Sequence, residues 1–317
     1  MAAMASKVTP SAQPPLPATV LIATRGRPDM LRDTIESILE GRRVPRELIV
    51  VDQSPAPQAE IAELRTRRGC EIRYVHSATT GLSSARNVGL RHASQEAVVI
   101  LDDDMLVEDD SLELLLTRRE SRDGRIVTTG RLLAAPPERP GLRQPPGALV
   151  TRTEPEVFRG RQPRQVVPGP NVALPRAVML EIGGYDERLG AGTRFPGAED
   201  HDLSLRLLDA GCEVRHVPEA VVLHRSWRDR RDVVRLRWGY ARGVGGFYAK
   251  HASLRDRHTL ERAGREVSSR VRRAIRSVFS APATTARELL TVAGLAVGAA
   301  EWTLRYRLRP HGGTANR

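Results

Sequence analysis

Three adjacent carboxylates, Asp102, Asp103 and Asp104, form the most concentrated chemical group in the sequence. They directly follow the apolar run Ala97–Leu101. Like charges crowded at one point repel one another, and a hard divalent cation such as Mg²⁺ or Mn²⁺ relieves the repulsion. Because Mg²⁺ usually takes one or two protein carboxylates and completes its shell with phosphate oxygens and water, the cluster indicates a phosphorylated ligand. The alternative is a solvated acidic turn.

A second acidic group, Glu199–Asp202, follows the glycine-rich stretch 190–197 and begins a predicted helix. Acidic residues in the first turn of a helix are explained by capping and by the helix dipole. Alternatively, one carboxylate caps the helix while another faces a site as a general base. His224 follows a further apolar run, where it is either a structural histidine or a metal ligand, since neutral imidazole suits Mn²⁺.

The elements that must position these groups alternate between strand and helix. Pro28 begins a helix with apolar residues at helical spacing. Apolar runs predict four strands, which are Ala18–Thr24, Leu48–Val51, Glu71–Val75 and Ala97–Leu101. The alternation predicts an α/β fold with a mainly parallel sheet sandwiched by helices, in which ligands lie beyond the carboxyl ends of the strands. The polar groups expected to meet at that rim are Thr24-Arg25, Asp52-Gln53 and Asp102–Asp104.

Composition and charge divide the 317 residues into three parts. Residues 1–17 are proline-rich and predict a disordered lead-in, and residues 18–224 form the predicted α/β domain. A proline-rich loop at 135–170 is a candidate lid or acceptor wall. Residues 225–317 carry 21 Lys and Arg against 7 Asp and Glu, a net charge of +14, so the excess positive charge of the chain, +12 in total, comes from this predicted helical C-terminal extension alone.

Several sequence features bear on the cellular compartment of the protein, although each is less specific than the acidic motifs. Two cysteines are too few for a disulfide scaffold, and the N-terminal residues lack the apolar core of a secretion signal. The apolar stretch Leu289–Ala300 is shorter than the roughly 20 residues that a spanning helix needs. We expect a cytoplasmic protein. Together with Trp302 and Tyr306, the basic extension favours peripheral contact with the inner face of the cell membrane.

Seven sequence blocks, taken in their order and spacing, carry a resemblance to a known family. Those in the first half are Ala23–Pro28, Leu48–Asp52, Gly81–Gly89 and Leu101–Asp104. Those in the second half are Gly169–Ala173, Gly183–Glu187 and Gly197–Leu203. The chain resembles the family 2 glycosyltransferases, which have the Rossmann-like GT-A fold and use nucleotide-diphospho-sugar donors. The resemblance runs from about residue 18 to about residue 224.

The resemblance implies a role for each matching residue. The nucleotide-sugar-binding residues would be Thr24, Arg25, Asp52, Arg86, Asp102 and Asp103. The ligands of the Mn²⁺ or Mg²⁺ ion would be Asp104 and Asp102, to which the strand-end chemistry adds His224. Asp200, with Glu199 beside it, would be the catalytic base. Gln53-Ser54 departs from the acid or Gly-Ser turn that the family often has after Asp52, which leaves the nucleotide base open.

The activity implied is that of an inverting, metal-dependent hexosyltransferase. A single displacement would move the sugar to a hydroxyl group of a cell-surface glycan, a polysaccharide or a lipid-linked acceptor. Metal and base then act on opposite sides of the sugar carbon. We therefore expect Asp104 and Asp200 to flank one cleft without touching.

Two other functions compete with this interpretation. A sugar-phosphate nucleotidyltransferase would share the sheet and the acids, but it generally needs a glycine-rich, basic loop after the first strand, and Thr24–Pro28 is short and poor in glycine. A nucleic-acid-binding protein could use the arginines between residues 225 and 276, but the aromatic residues there form no recognisable RNA motif. We therefore expect no nucleic-acid partner.

Overall fold

The computed structural model describes residues 13–119, 124–145, 147–253 and 257–308. The strands are β1 (Leu16–Thr24), β2 (Pro45–Asp52), β3 (Thr66–Arg67), β4 (Cys70–His76), β5 (Ala97–Asp102), β6 (Met105–Val107), β7 (Ile126–Ala134), β8 (Glu156–Phe158), β9 (Val172–Pro175) and β10 (Glu213–His224). Residues 1–12 of the predicted lead-in lie outside the described residues, and β1 begins two residues before the predicted start of the domain.

Nine helices and a final π-helical turn accompany these strands within the described residues. The helices are α1 (Pro28–Glu40), α2 (Ala59–Ala62), α3 (Leu82–His92), α4 (Ser111–Thr117), α5 (Arg176–Glu181), α6 (Glu199–Asp209), α7 (Arg230–His251), α8 (His258–Ser277) and α9 (Pro282–Trp302), and the turn is Thr303–Arg307. None of the described helices combines the length and the apolar character that crossing a bilayer requires. The predicted helical character of the C-terminal extension is confirmed.

The strands form one sheet in the order β3-β4-β2-β1-β5-β9-β7-β10-β6, with β8 paired to β10. Strands β4, β2, β1 and β5 are parallel neighbours, as are β7 and β10. Strand β9 runs antiparallel between β5 and β7 and joins the two parallel parts. The short antiparallel strands β6 and β8 pair with β10. The alternation of strand and helix in the sequence predicted the parallel strands β1, β2, β4 and β5, but neither β7 nor these antiparallel strands.

The strand register confirms that the polar residues after the strands share one rim. Thr24 at the end of β1 lies opposite Asp52 of β2, and Ala23 lies opposite Asp102 of β5. Parallel strands paired in this register end at the same level, so their carboxyl-end residues are neighbours.

Helices α1 and α3 cover opposite faces of this parallel part. Pro28 occupies the first turn of α1, and the residues that α1 buries against the sheet follow at helical spacing. Helix α3 lies very close to β1, because a Cβ atom on Gly89 would be only 2.0 Å from Leu21 Cδ1. This close approach brings the side chains of α3 over the rim.

The C-terminal helices pack on the α/β part through a core of their own. Phe247 of α7, Leu295 and Trp302 of α9 are buried together with Leu189 and Phe195, which precede α6. Helices α7 and α9 touch along small residues, and a Cβ atom on Gly298 would lie 1.9 Å from the backbone oxygen of Arg242. The basic region therefore shares a core with the preceding residues, and packing continues across the sequence boundary at residue 224.

Candidate active site

A cleft of about 770 Å³ opens at the carboxyl rim of the sheet. Its lining includes Thr24, Arg25 and the three adjacent acids Asp102, Asp103 and Asp104 at the end of β5. The proline-rich segment contributes Gly147–Arg152 and Gln165, Val166 and Pro168–Pro170, and the glycine-rich loop contributes Ala191, Gly192 and Gly197. Helices α6 to α9 complete the wall. The proline-rich segment thus lines the cleft, and it includes strand β8.

The three rim acids have different partners, although they are adjacent in sequence. Asp102 pairs with Arg86, whose Nη2 lies 2.9 Å from the carboxylate. Asp103 is fully buried, accepts a hydrogen bond of 2.6 Å from the Thr24 hydroxyl and lies 2.9 Å from an Arg27 nitrogen. Burial raises the pKa of Asp103 to about 7, although Arg27 lowers it. Trp227 donates its indole N–H to Asp104 at 2.8 Å.

Arg86 of α3 joins the rim acids to the acids of α6. Its guanidinium is buried, and it lies 3.4 Å from Asp200 as well as 2.9 Å from Asp102. The ring of Tyr185 packs against it, with 5.2 Å between the guanidinium carbon and the ring centroid. Asn87 holds the backbone of Tyr185 in place. Its side chain donates to the Tyr185 carbonyl oxygen at 2.9 Å and accepts from the Tyr185 backbone N–H at 2.8 Å. Two of the sequence blocks are therefore locked together around Arg86.

The three acids at the start of α6 face in two different directions. Glu199 and Asp200 line the cleft, whereas Asp202 turns away and binds Arg206, Lys250 and His251. Burial, and then the charge of Glu199, raises the pKa of Asp200 well above its ordinary value. Burial also raises the pKa of Glu199, whose Oε2 atom is buried without a hydrogen-bond partner among the described residues. Carboxyl groups with raised pKa values are suited to proton transfer near neutral pH.

Asp104 and His224 face each other across a gap that suits a cation. The Nδ1 of His224 lies 3.1 Å from the Arg225 carbonyl oxygen, which can only accept, so Nδ1 carries the proton. In the neutral ring, Nε2 is then an acceptor, and it lies 3.7 Å from the Asp104 carboxylate. Two acceptors opposed at this distance fit a divalent cation between them, and an oxygen with an imidazole nitrogen is a donor set that Mn²⁺ accepts.

Asp102 does not complete a set of three ligands in this arrangement. Its carboxylate is engaged by Arg86, and within the part of the chain that the structure describes no group of three or more His, Cys, Asp or Glu side chains is arranged to hold a metal ion. Two protein ligands are nevertheless within the number that Mg²⁺ usually takes when phosphate oxygens supply others.

Most of the predicted donor-binding residues line the cleft, but Asp52 does not. Its carboxylate is buried and accepts hydrogen bonds from the Ser54 backbone and hydroxyl and from Tyr74, the last at 2.5 Å. It supports the turn in which Gln53 lines the cleft. Thr24, Arg25, Arg86, Asp102 and Asp103 all contribute to the cleft wall.

Several cleft residues were missed in the sequence. Arg27 binds both Asp103 and Asp104, and Arg228 lies 3.7 Å from Asp104 with its Nη1 buried and without a hydrogen-bond partner among the described residues. Trp227 lies against both guanidinium groups. Arg27 belongs to the first sequence block, and Trp227 and Arg228 follow shortly after the strand-ending His224, which are the features that could have indicated them.

Comparison with known proteins gives consistent similarities. Residues 19–174, about half of the chain, match the family described as Glycosyl transferase family 2. The pre-mycofactocin glycosyltransferase of Mycobacterium tuberculosis is 28% identical over 242 residues, which are 74% of this chain and 48% of that protein. The glucosyl-dolichyl phosphate glucuronosyltransferase of Haloferax volcanii is 24% identical over 244 residues, which are 69% of this chain and 73% of that protein.

Among solved structures, a mannosyltransferase from Pyrobaculum calidifontis in complex with GDP-Man and Mn²⁺ aligns with a TM-score of 0.57 at 17% identity. The alignment covers 94% of this chain and 91% of that one. This likeness confirms the predicted GT-A α/β fold. The chain spans about half the length of the Mycobacterium tuberculosis relative.

Proposed function

The chain belongs to glycosyltransferase family 2, and from that premise we propose that it transfers a hexose from a nucleoside-diphosphate sugar to a hydroxyl acceptor with inversion. One observation carries the proposal. The acids at the end of β5 line the same cleft as Glu199 and Asp200 of α6, and the buried cation Arg86 joins Asp102 to Asp200. The arrangement agrees with a donor diphosphate on one side of the sugar carbon and a proton acceptor on the other.

The donor would lie along the rim formed by β1 and β5. Thr24, Arg25 and Gln53 are positioned to contact the nucleoside, and Asp103 holds Thr24 and Arg27 in place. Arg27 and Arg228 offer guanidinium groups beside Asp104, which suits a diphosphate because arginine binds phosphate oxygens in a fork. The unused Nη1 of Arg228 is available for such a contact.

Asp104 and His224 would hold the divalent cation. When bound, the cation would neutralise the negative charge that develops on the departing diphosphate. The mannosyltransferase from Pyrobaculum calidifontis is described with Mn²⁺, which supports a divalent ion here.

Asp200 would accept the proton of the attacking hydroxyl. Burial and the charge of Glu199 raise its pKa, which makes its carboxylate a stronger base than an ordinary aspartate. Arg86 orients the carboxylate at 3.4 Å, and Gly169 leaves room for it, because a Cβ atom there would lie 2.8 Å from Asp200 Oδ2. The proline-rich segment and the loop at 190–197 would exclude water from the sugar.

Turnover of nucleotide sugars tests the proposal directly. The full chain is incubated with UDP-, GDP- and dTDP-sugars, Mn²⁺ and a mixture of sugar acceptors, and the nucleoside diphosphate released is measured. We expect one donor to be consumed with release of its nucleoside diphosphate and a product of inverted anomeric configuration. Pyrophosphate release from a nucleoside triphosphate and a sugar phosphate would instead identify a nucleotidyltransferase.

We also propose peripheral contact with an anionic membrane, through the end of α8 rather than through α9. Trp302 is only 2% exposed and packs edge-on against Phe195, so it is part of the core. Phe279, by contrast, is 96% exposed beside Ile275 at 66%. The last turns of α8, which precede this apolar tip, carry three exposed arginines, Arg272, Arg273 and Arg276. Apolar side chains ringed by cations suit the interface of an anionic bilayer.

Vesicle sedimentation tests this membrane contact. The full chain should bind vesicles that contain phosphatidylglycerol more tightly than vesicles of phosphatidylcholine alone, and Phe279→Glu should weaken binding about tenfold or more, because an apolar side chain of this size contributes about 1.5–3 kcal/mol when buried. Leu180→Glu is the matched control, since Leu180 is 44% exposed on α5, away from the tip. Equal binding by the two variants would contradict the assignment.

A further inference from the structure

The cleft continues past the acids into a space between the C-terminal helices. We call this space the helical lobe, and its lining residues are Arg237, Tyr240, Ala241 and Val244 of α7, Glu266 and Arg270 of α8, and Thr291 and Leu295 of α9. On each helix these residues recur at intervals of three or four, so each helix presents one face to the lobe. The wall combines apolar side chains with charged ones.

Arginine side chains outnumber carboxylates around the helical lobe. Arg270 binds Glu266 at 2.7 Å and Glu288 at 3.1 Å. Glu288 is only 3% exposed, and Arg273 and Arg287 also lie within 4 Å of it, at 3.4 and 3.6 Å. A single buried carboxylate therefore serves three guanidinium groups.

Arg237 is the arginine of this group that forms no ion pair or hydrogen bond with any described residue. Burial lowers its pKa, the positive charges of Arg287 and Arg270 lower it further, and the negative charge of Glu288 raises it only in part. Among the residues that line the lobe, Arg237 and Arg270 thus face the single carboxylate of Glu266, and the four arginines of the wider cluster share two glutamates. An unpaired cation beside two further cations is a place where an anion is stabilised.

We propose that the helical lobe binds the acceptor through a phosphate group, which Arg237 and Arg270 contact. This inference rests on the proposed glycosyltransferase function. The excess of positive charge at this wall suits the −1.5 to −2 charge of a phosphomonoester at about pH 7. Guanidinium groups suit phosphate because they donate two parallel hydrogen bonds. Val244 and Leu295 offer apolar contact to the rest of the acceptor, and Asp200 lies in the same continuous cleft.

The phosphate could belong to a soluble sugar phosphate or to a lipid phosphate, and two binding assays separate these sources. Calorimetry measures the affinity of the full chain for glucose 6-phosphate and, for comparison, for glucose. Mn²⁺ and saturating nucleoside diphosphate are present so that the donor position is filled. Sedimentation measures binding to phosphatidylcholine vesicles that contain a polyprenyl phosphate, against vesicles that contain the neutral polyprenol.

Arg237→Gln should weaken phosphate binding about tenfold in at least one assay, which is about 1.4 kcal/mol at 25 °C. Arg237→Lys keeps the charge and should restore part of the affinity. Arg235→Gln is the matched control, because Arg235 lies on the same helix, is 84% exposed and pairs loosely with Asp232 at 3.9 Å. This control should bind as the unchanged chain does.

Loss in the glucose 6-phosphate assay assigns a soluble acceptor, and loss in the vesicle assay assigns a lipid acceptor. Either loss supports the proposal. It is overturned if phosphates bind no better than their neutral counterparts, or if Arg237→Gln and Arg235→Gln behave alike. A chain that hydrolyses no nucleotide sugar contradicts the proposed function, whereas a chain that hydrolyses its donor but binds both phosphates independently of Arg237 overturns this inference alone.

Discussion

Replacing Arg86 with glutamine should destabilise the protein in a pH-dependent way. The change removes the cation that compensates Asp102 at 2.9 Å and Asp200 at 3.4 Å, while Glu199 also contributes negative charge nearby. Breaking a buried ion pair by removing one partner costs about 3–5 kcal/mol. The side chains of Asp102 and Asp200 are 27% and 19% exposed, so solvent screens part of the charge. We therefore expect the free energy of unfolding to fall by about 3 kcal/mol near pH 7.

The sign of the pH dependence follows from the carboxyl groups left behind. Burial and the charge of Glu199 already hold the folded-state pKa of Asp200 above its ordinary value, and loss of Arg86 would raise it further. A carboxyl group of this kind favours the folded state while it is protonated and disfavours it increasingly as the pH rises through its folded-state pKa. The deficit of the variant should consequently be smaller at about pH 5 than at about pH 8.

Urea denaturation at these two pH values measures the effect. Arg91→Gln is the matched control, because Arg91 is an exposed arginine on the same helix, and its unfolding should change by less than about 0.5 kcal/mol. A loss for Arg86→Gln that is below about 1 kcal/mol, or that is equal at both pH values, would refute the view that this cation compensates the acids of the cleft.

Three further outcomes test the site and the packing around it. Asp200→Asn keeps the size of the side chain and an acceptor for Arg86, so turnover should fall by about 10²–10⁴ while calorimetry finds nucleotide affinity nearly unchanged; turnover within about tenfold of the unchanged chain would exclude Asp200 as the base. Asp104→Asn and His224→Ala should each raise the Mn²⁺ concentration for half-maximal turnover by about tenfold or more, and a normal Mn²⁺ titration would remove these residues from the metal site. Gly298→Ala should lower stability in thermal unfolding by about 1–3 kcal/mol, because its Cβ would lie 1.9 Å from the Arg242 oxygen. Gly264→Ala on α8 is the control, since its Cβ would meet nothing within 4 Å, and it should be neutral or stabilising by up to about 1 kcal/mol. Similar losses in both variants would contradict the close packing of α7 on α9.

The sequence predicted four parallel strands of the sheet and the polar rim at their ends because both depend on local patterns. Apolar runs identified β1, β2, β4 and β5, and the polar residues after them had to share one edge once the strands were parallel. The antiparallel strands β6, β8 and β9 were not predicted, because they have three or four residues each and too little periodicity to be recognised. Their pairing depends on which neighbours the rest of the chain supplies.

The assignment of individual side chains was less predictable. Asp52 and Asp102 both follow apolar strands and look equivalent in sequence, yet Asp52 is enclosed by Ser54 and Tyr74 while Asp102 lines the cleft. In the sequence, the excess positive charge also looks separate from the predicted active site, because the excess arginines follow residue 224. In the folded chain Arg228, Arg237 and Arg270 line the same cleft as the acids.

By itself, the sequence determined that acids and polar groups gather at the carboxyl ends of parallel strands, because a strand fixes the positions of the residues that directly follow it. The tertiary structure decided which of these groups meet residues far away in the chain. Arg86 reaches Asp200 across 114 positions because α3 lies close to β1, and the arginines of α7 and α8 reach the cleft because α7 and α9 meet along glycines. Such encounters depend on how closely whole helices pack, and no short stretch of residues encodes that distance.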